Sequence, residues 1–330
     1  MMPSAPPPLP VPPVPTARDR FLAHRHAVGP APRLTRQTVR ARGLDFAVFT
    51  SPPVEDAVPL CCVNGGLLFD HRILWPALAP LARRRQLVLY DQRGRGASQP
   101  PPGARAARIE HDAGDLPAIR AAMRIERWDL LGHSWGGGIA MLAAAQDQVA
   151  TRRLVLVDSV GVTSGWLPGL HAAALALLRA GNSEAYEILA AHDPAALTEP
   201  DPATHAAYAR AFYPAWFADQ TLAAIFAPPR SASVTGSAVA ARIRREGYDW
   251  RDVVRALQVP SLVIHGERDV LPADQARQTV SLLPDARLEL LAGAGHMPFW
   301  ESPDRFFEVV ERFLARPADT PLQHDLPSPG

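Results

Sequence analysis

Short apolar runs recur through the middle of the chain, at Val58 to Val63, Gln86 to Tyr90, Trp128 to Leu131, Leu154 to Val157, Ser261 to Ile264 and Arg287 to Leu291. Each is β-branched or leucine-rich and apolar along its length, which is the pattern of strands in a parallel sheet covered on both faces. Ahead of them, Thr38 to Arg42 and Leu44 to Thr50 flank Gly43 and read as two antiparallel strands. Helical spacing fills the intervals at His71 to Arg84, Ile109 to Arg124, Trp135 to Gln146, Ala273 to Leu283 and Pro303 to Leu314. That alternation predicts an α/β fold, a sheet with helices on both faces.

One interval breaks the rhythm. Roughly 85 residues, from Gly161 to Glu246, intervene between two strand candidates where a crossover of about a dozen would do. The expected organisation is a core at residues 31–160 and 247–316 interrupted by a helical cap at 161–246. The cap is alanine-rich and carries Trp166, Tyr186, Tyr208, Phe212, Tyr213, Trp216, Phe217 and Phe226, most of them expected to pack within it. Residues 1–30, with eight prolines between Pro3 and Pro15, are expected to be a disordered tail, and residues 317–330 a flexible one.

Composition narrows the chemistry. The 34 basic side chains nearly balance the 33 acidic ones and are scattered, so no nucleic-acid footprint is expected. Every one of the 34 is arginine. A chain without lysine forms no Schiff base with pyridoxal phosphate and lacks the lysine of a phosphate-binding P-loop. Cys61 and Cys62 are adjacent within an apolar run, which suits strand packing and neither a disulfide framework nor a metal site. No apolar run is long enough to span a bilayer, and prolines interrupt the amino terminus where a signal peptide needs a continuous apolar segment. The expectation is a cytoplasmic protein without cofactor or metal, acting on a small molecule or short peptide.

The sharpest local signal is Gly132-His133-Ser134-Trp135-Gly136-Gly137, between the strand ending at Leu131 and the helix running to Gln146. This is the setting of a nucleophile elbow, where a serine on a tight strand-to-helix turn projects its hydroxyl above the sheet. A serine hydroxyl needs a base, and the base needs a carboxylate to orient it. The strand Ser261 to Ile264 leads into Asp269, and the strand Arg287 to Leu291 leads into Gly295-His296. In a parallel sheet all strand carboxyl ends share one edge, so Ser134, Asp269 and His296 converge although they are distant in sequence. Asp158 also ends a strand and is a rival for orienting the histidine. Acyl transfer further requires an oxyanion hole, for which the N–H groups of Gly66, in Asn64-Gly65-Gly66-Leu67, and of Trp135 are the candidates.

Several of these segments together resemble the α/β-hydrolase superfamily. They are Asp91-Gln92-Arg93-Gly94-Arg95-Gly96-Ala97-Ser98, Asp115, Ile125-Glu126-Arg127-Trp128, the Gly-His-Ser-Trp-Gly-Gly elbow and Gly295-His296. Within that superfamily the chain is most similar to the proline iminopeptidase group of serine aminopeptidases, over about residues 36–160 and 248–315. The resemblance implies a mostly parallel eight-stranded sheet, a helical cap between the sixth and seventh strands, and hydrolysis through an acyl-serine by Ser134, Asp269 and His296. A serine at the elbow also sets the chain apart from haloalkane dehalogenases and epoxide hydrolases, which use aspartate there. Two departures stand out. The family often has His-Gly-Gly-Pro-Gly where this chain has Asn64-Gly65-Gly66-Leu67-Leu68, and some members hold a substrate's free amino terminus with an acidic residue where this chain has Val270. Glu184, Glu187, Glu199 and Glu246 of the cap are candidates to compensate. A carboxylesterase, a lactonase, a carbon-carbon bond hydrolase and a non-catalytic ligand-binding protein on the same fold remain alternatives.

Overall fold

The computed structural model describes residues 15–103, 106–227 and 232–316. Eight strands form one sheet: β1 (Thr35–Ala41), β2 (Leu44–Thr50), β3 (Leu60–Val63), β4 (Leu87–Tyr90), β5 (Trp128–His133), β6 (Thr151–Val157), β7 (Ser261–Gly266) and β8 (Ala286–Leu291). Their spatial order is β1-β2-β4-β3-β5-β6-β7-β8. β2 is antiparallel to both its neighbours, and every pair from β4 to β8 is parallel. This is the mostly parallel α/β sheet that the apolar runs imply.

Uniformly apolar strands still alternate, but between two cores instead of between core and solvent. Cys61 and Val63 of β3, Val88 and Tyr90 of β4, and Leu154 and Leu156 of β6 face one core. Leu60 and Cys62, Leu87 and Leu89, and Val155 and Val157 face the other. The period of two in side-chain direction is intact, and each face has its own layer of helices.

The helices are α1 (Ala17–Val28), α2 (Ile109–Ala122), α3 (Trp135–Gln146), α4 (Leu170–Gly181), α5 (Ser183–Ala190), α6 (Pro202–Phe212), α7 (Gln220–Ala223), α8 (Val234–Glu246), α9 (Arg251–Arg255), α10 (Asp274–Leu282), α11 (Pro298–Glu301) and α12 (Pro303–Leu314). Buried residues of α2, α3, α8, α9 and α10 join the first core, and those of α1, α11 and α12 the second. Between β6 and β7 the chain leaves the sheet to form α4 to α8, whose Leu178, Leu189, Tyr208 and Phe212 make a third cluster that also takes in Val270. Among the described residues no helix is long and apolar enough to cross a membrane.

Two expectations are corrected. The stretch His71 to Arg84 is not one helix but two short 3-10 turns, His71–Ile73 and Ala79–Arg83. Pro76 and Pro80 carry no N–H and clash with a preceding helical turn, which outweighs the apolar spacing. Residues 17–28, expected within a disordered tail, form α1. Thr16 and Asp19 build a reciprocal capping box, in which the Asp19 N–H donates to the Thr16 hydroxyl at 3.1 Å and the Thr16 N–H donates to the Asp19 carboxylate at 3.0 Å. The helix is then held by Phe21, whose ring meets Phe226 and Trp300 edge-on at 5.3 and 5.2 Å. The proline-rich residues 1–14 and the carboxyl-terminal residues 317–330 lie outside the described residues.

Candidate active site

The carboxyl ends of β5, β7 and β8 bring the sequence candidates to one edge. Ser134 sits between β5 and α3 with φ +56° and ψ −123°, a conformation that costs an L-residue about 1–3 kcal/mol unless its surroundings enforce it. They do. The Ser134 N–H donates to the Val157 carbonyl at 2.9 Å, and its carbonyl accepts from the N–H groups of Gly137 at 2.9 Å and Val160 at 3.2 Å. The turn is therefore clamped to the end of β6. Close approach to β3 is possible only because Gly136 has no side chain, since a Cβ there would lie 2.0 Å from the Val63 carbonyl oxygen. Gly65 likewise leaves room for Ser134, whose Cβ would be 2.6 Å from one added at Gly65.

His296 is fixed at three points. Its ring Nδ1 lies 2.9 Å from Asp269 Oδ2, its N–H donates to the Trp216 carbonyl at 2.8 Å, and its own carbonyl accepts from His133 Nε2 at 2.8 Å. The Asp269 side chain is fully buried. Burial opposes its charge, but the His296 and His265 rings and the Leu271 N–H, which donates at 3.0 Å, outweigh burial and hold the carboxyl below its usual range. An ionised carboxylate only accepts, so the shared proton belongs to His296 Nδ1 and the lone pair is left on Nε2. Burial, with His296 beside it, pulls His133 down to about 3, so that ring is neutral and donates through Nε2.

Asp158, the rival carboxylate, bonds elsewhere: its Oδ1 accepts from the Gly266 N–H at 2.7 Å. Burial and the neighbouring Asp269 charge push its carboxyl well up. The shift favours the uncharged form of Asp158 and so lessens its repulsion of Asp269. Asp158, His265 and Asp269 bring three ligand-type atoms within 4.8 Å of one another, as do Asp70, His71 and Asp91. In the second group Asp70 chelates Arg72, and Asp91 accepts from His71 and from the Ala97 N–H.

The loop carrying Gly66 is braced from below. Asn64, at the position where the resemblance suggests histidine, donates through Nδ2 to the carbonyls of Gly65 and Phe69, both at 3.1 Å. Arg95 is fully buried, bonds Asp112 at 2.8 and 3.1 Å, and donates through Nε to the Leu67 carbonyl at 2.8 Å. The Asp91–Ser98 motif is thus scaffolding for the loop that faces Ser134.

Gly66, Ser134, Trp135 and His296 line one cavity of about 120 Å³, roofed by Trp166, Tyr208, Phe212 and Trp216 and walled by Leu67, Leu170, Leu197, Ile243 and Val270. Among the described residues its lining includes no aspartate or glutamate. Glu184, Glu187, Glu199 and Glu246 are exposed instead, with Glu246 paired to Arg242 at 3.0 Å. None of these four candidates lines the cavity.

Glu301 escaped the sequence reading. It is buried, and its carboxylate accepts from the N–H groups of Ala218 at 2.7 Å, Gly295 at 2.8 Å, and Asp219 and Met297 at 3.4 Å. Burial outweighs these donors and pushes the carboxyl up to about 7. The only trace in the sequence is an acidic residue closing the short apolar run Met297 to Trp300.

Comparison with known proteins agrees with this fold. A 2-hydroxymuconate semialdehyde hydrolase of Pseudomonas putida is 30% identical over 238 residues, covering 71% of this chain and 78% of that protein. A proline iminopeptidase of Lactobacillus delbrueckii subsp. bulgaricus is 27% identical over 285 residues, covering 78% and 90%. The crystal structure of a proline iminopeptidase from Mycobacterium smegmatis superimposes with a TM-score of 0.60 at 25% identity, covering 85% of this chain and 97% of that one. The sequence profile of the alpha/beta hydrolase fold matches residues 58–303, from just before β3 to the start of α12, and the chain belongs to that family of hydrolases.

Proposed function

We propose that this hydrolase is a cofactor-independent serine enzyme that cleaves a carboxylic ester or amide of a small, partly apolar substrate through an acyl-serine. The observation that carries the reading is the Asp269–His296 bond, in the same cavity as a serine held on a strained elbow. His296 Nε2 takes the Ser134 proton as the oxygen attacks the carbonyl carbon. The N–H groups of Gly66 and Trp135 receive the developing oxyanion, and Asp269 stabilises the imidazolium. The imidazolium then protonates the leaving group, and water, deprotonated by the same ring, releases the acid and restores Ser134.

The apolar lining, with no carboxylate among the described residues, favours an ester over an amide beside a free amino terminus, because a buried ammonium needs a counter-charge. The test has two stages. A fluorophosphonate should label the wild type and not Ser134→Ala, and folded wild type that resists labelling removes the proposal. A panel of short-chain nitrophenyl esters, a prolyl anilide and an alanyl anilide then assigns the bond. Turnover of the prolyl anilide ahead of the esters would restore the iminopeptidase reading.

A further inference from the structure

The cavity, with no carboxylate among its described lining residues, carries a charge of the other sign. Ala240, Ile243 and Arg244 lie on one face of α8, at the i, i+3, i+4 spacing of neighbours, and all three line the cavity that holds Ser134 and His296. The other arginines on this helix are engaged outside it. Arg242 pairs with Glu246 at 3.0 Å, and Arg245 donates to the Thr198 carbonyl at 2.5 Å. Arg244 is half-buried, and among the described residues it has no hydrogen bond, ion pair or ring stacking. The polar groups nearby are already committed. Tyr208 shares a hydrogen bond with His171 at 3.0 Å, and His205 is bonded by the Ser237 hydroxyl at 2.8 Å and faces the Leu197 carbonyl at 3.2 Å. In a chain without lysine, Arg244 is the one arginine among the described residues that line this cavity.

A guanidinium taken partly out of water costs free energy until an acceptor pairs with it, and its planar fork matches a carboxylate. We propose that Arg244 is a specificity-determining residue that binds a carboxylate on the substrate, remote from the carbonyl attacked by Ser134. This rests on the serine hydrolase reading and deepens it. The preferred substrates are esters or amides carrying a free acid, and a substrate ammonium is repelled. The position Val270, where some similar proteins have an acid, fits the same inversion of charge, since its side chain is an apolar part of the wall.

The test compares pentanoate with pentanamide, equal in shape and different in charge, as protectants of Ser134 against a fluorophosphonate at constant ionic strength. In the wild type, pentanoate should protect at concentrations at least about tenfold below pentanamide, and Arg244→Gln should abolish that difference while still being labelled when neither is present. Equal protection by the two compounds overturns the proposal, as does a carboxylate preference that survives Arg244→Gln. If Arg244→Gln does not fold, the wild type decides alone, because a charge-paired carboxylate loses its advantage as salt is raised and a merely shape-matched one keeps it. If the wild type is not labelled at all, the serine mechanism fails. The same pair of compounds, followed by quenching of the cavity tryptophans Trp135, Trp166 and Trp216, still judges Arg244.

Discussion

Gly136→Ala is the most direct probe of how the elbow is built. A Cβ there would lie 2.0 Å from the Val63 oxygen, 2.6 Å from its carbon and 2.7 Å from the Asn64 oxygen, all of them backbone atoms that no rotamer change can move. An ordinary C···O contact is roughly 3.3 Å, so the start of α3 and the end of β3 must part by about 1.3 Å. Overpacking of this kind costs about 1–3 kcal/mol, and the alanine returns at most about 1 kcal/mol of helix propensity. The expected net loss is about 2 kcal/mol, read as a urea midpoint lowered by about 0.5–1 M with unchanged slope. The separation also opens between Ser134 and the Asn64–Leu67 loop, so fluorophosphonate labelling should slow by about 100-fold. Gly165→Ala is the control, because its Cβ would meet nothing closer than the Thr163 hydroxyl at 3.8 Å. A Gly136→Ala protein with wild-type midpoint and labelling rate would refute the close-packing account.

Three further outcomes follow from the geometry. Asp269→Asn should leave thermal unfolding nearly unchanged while labelling of Ser134 falls by about 10³–10⁴-fold, because an amide lets the wrong imidazole tautomer persist; retention of the wild-type rate would remove Asp269 from the site. Glu301 binds its proton more tightly folded than unfolded. Its contribution to stability is therefore fully present below pH 4.5 and lost as the pH rises through about 7, a change of about 3 kcal/mol that Glu301→Gln should flatten in midpoints measured from pH 4 to 8. Parallel curves for the two proteins would contradict it. Phe21→Ala removes a buried ring worth about 3–5 kcal/mol at a chain end, so α1 should fray and tryptic cleavage at Arg20 or Arg25 should accelerate; an unchanged digestion pattern would show that α1 is held otherwise.

The strands were legible because burial on both faces leaves a short, uniformly apolar signature, and the elbow was legible because its glycines are local steric requirements. Ser134, Asp269 and His296 each follow a strand within a few residues, so a parallel sheet was enough to gather them. Other features had no such signature. The capping box of α1 was overshadowed by the eight prolines just before it, and the helical spacing of His71 to Arg84 concealed what Pro76 and Pro80 forbid. Arg244 and Glu301 take their meaning from groups far away in sequence: Arg244 from the largely apolar cavity that it lines, Glu301 from the amides of Ala218 and Gly295. Neither spacing nor composition distinguishes them from the arginines and glutamates that merely face solvent.

The tie between Trp216 and His296 has a mechanical consequence. The histidine loop and the cap segment 216–219 share the His296 N–H bond to the Trp216 carbonyl and the Glu301 carboxylate that joins Gly295 to Ala218. A swing of the cap on this side carries the imidazole away from Asp269 and Ser134, or breaks these bonds first. Under the proposed serine mechanism, an opening of the cap at this edge and a histidine in place beside Asp269 would be incompatible positions of one segment. Under that mechanism the arrangement would work as an interlock, in which the serine is armed only with the roof in place.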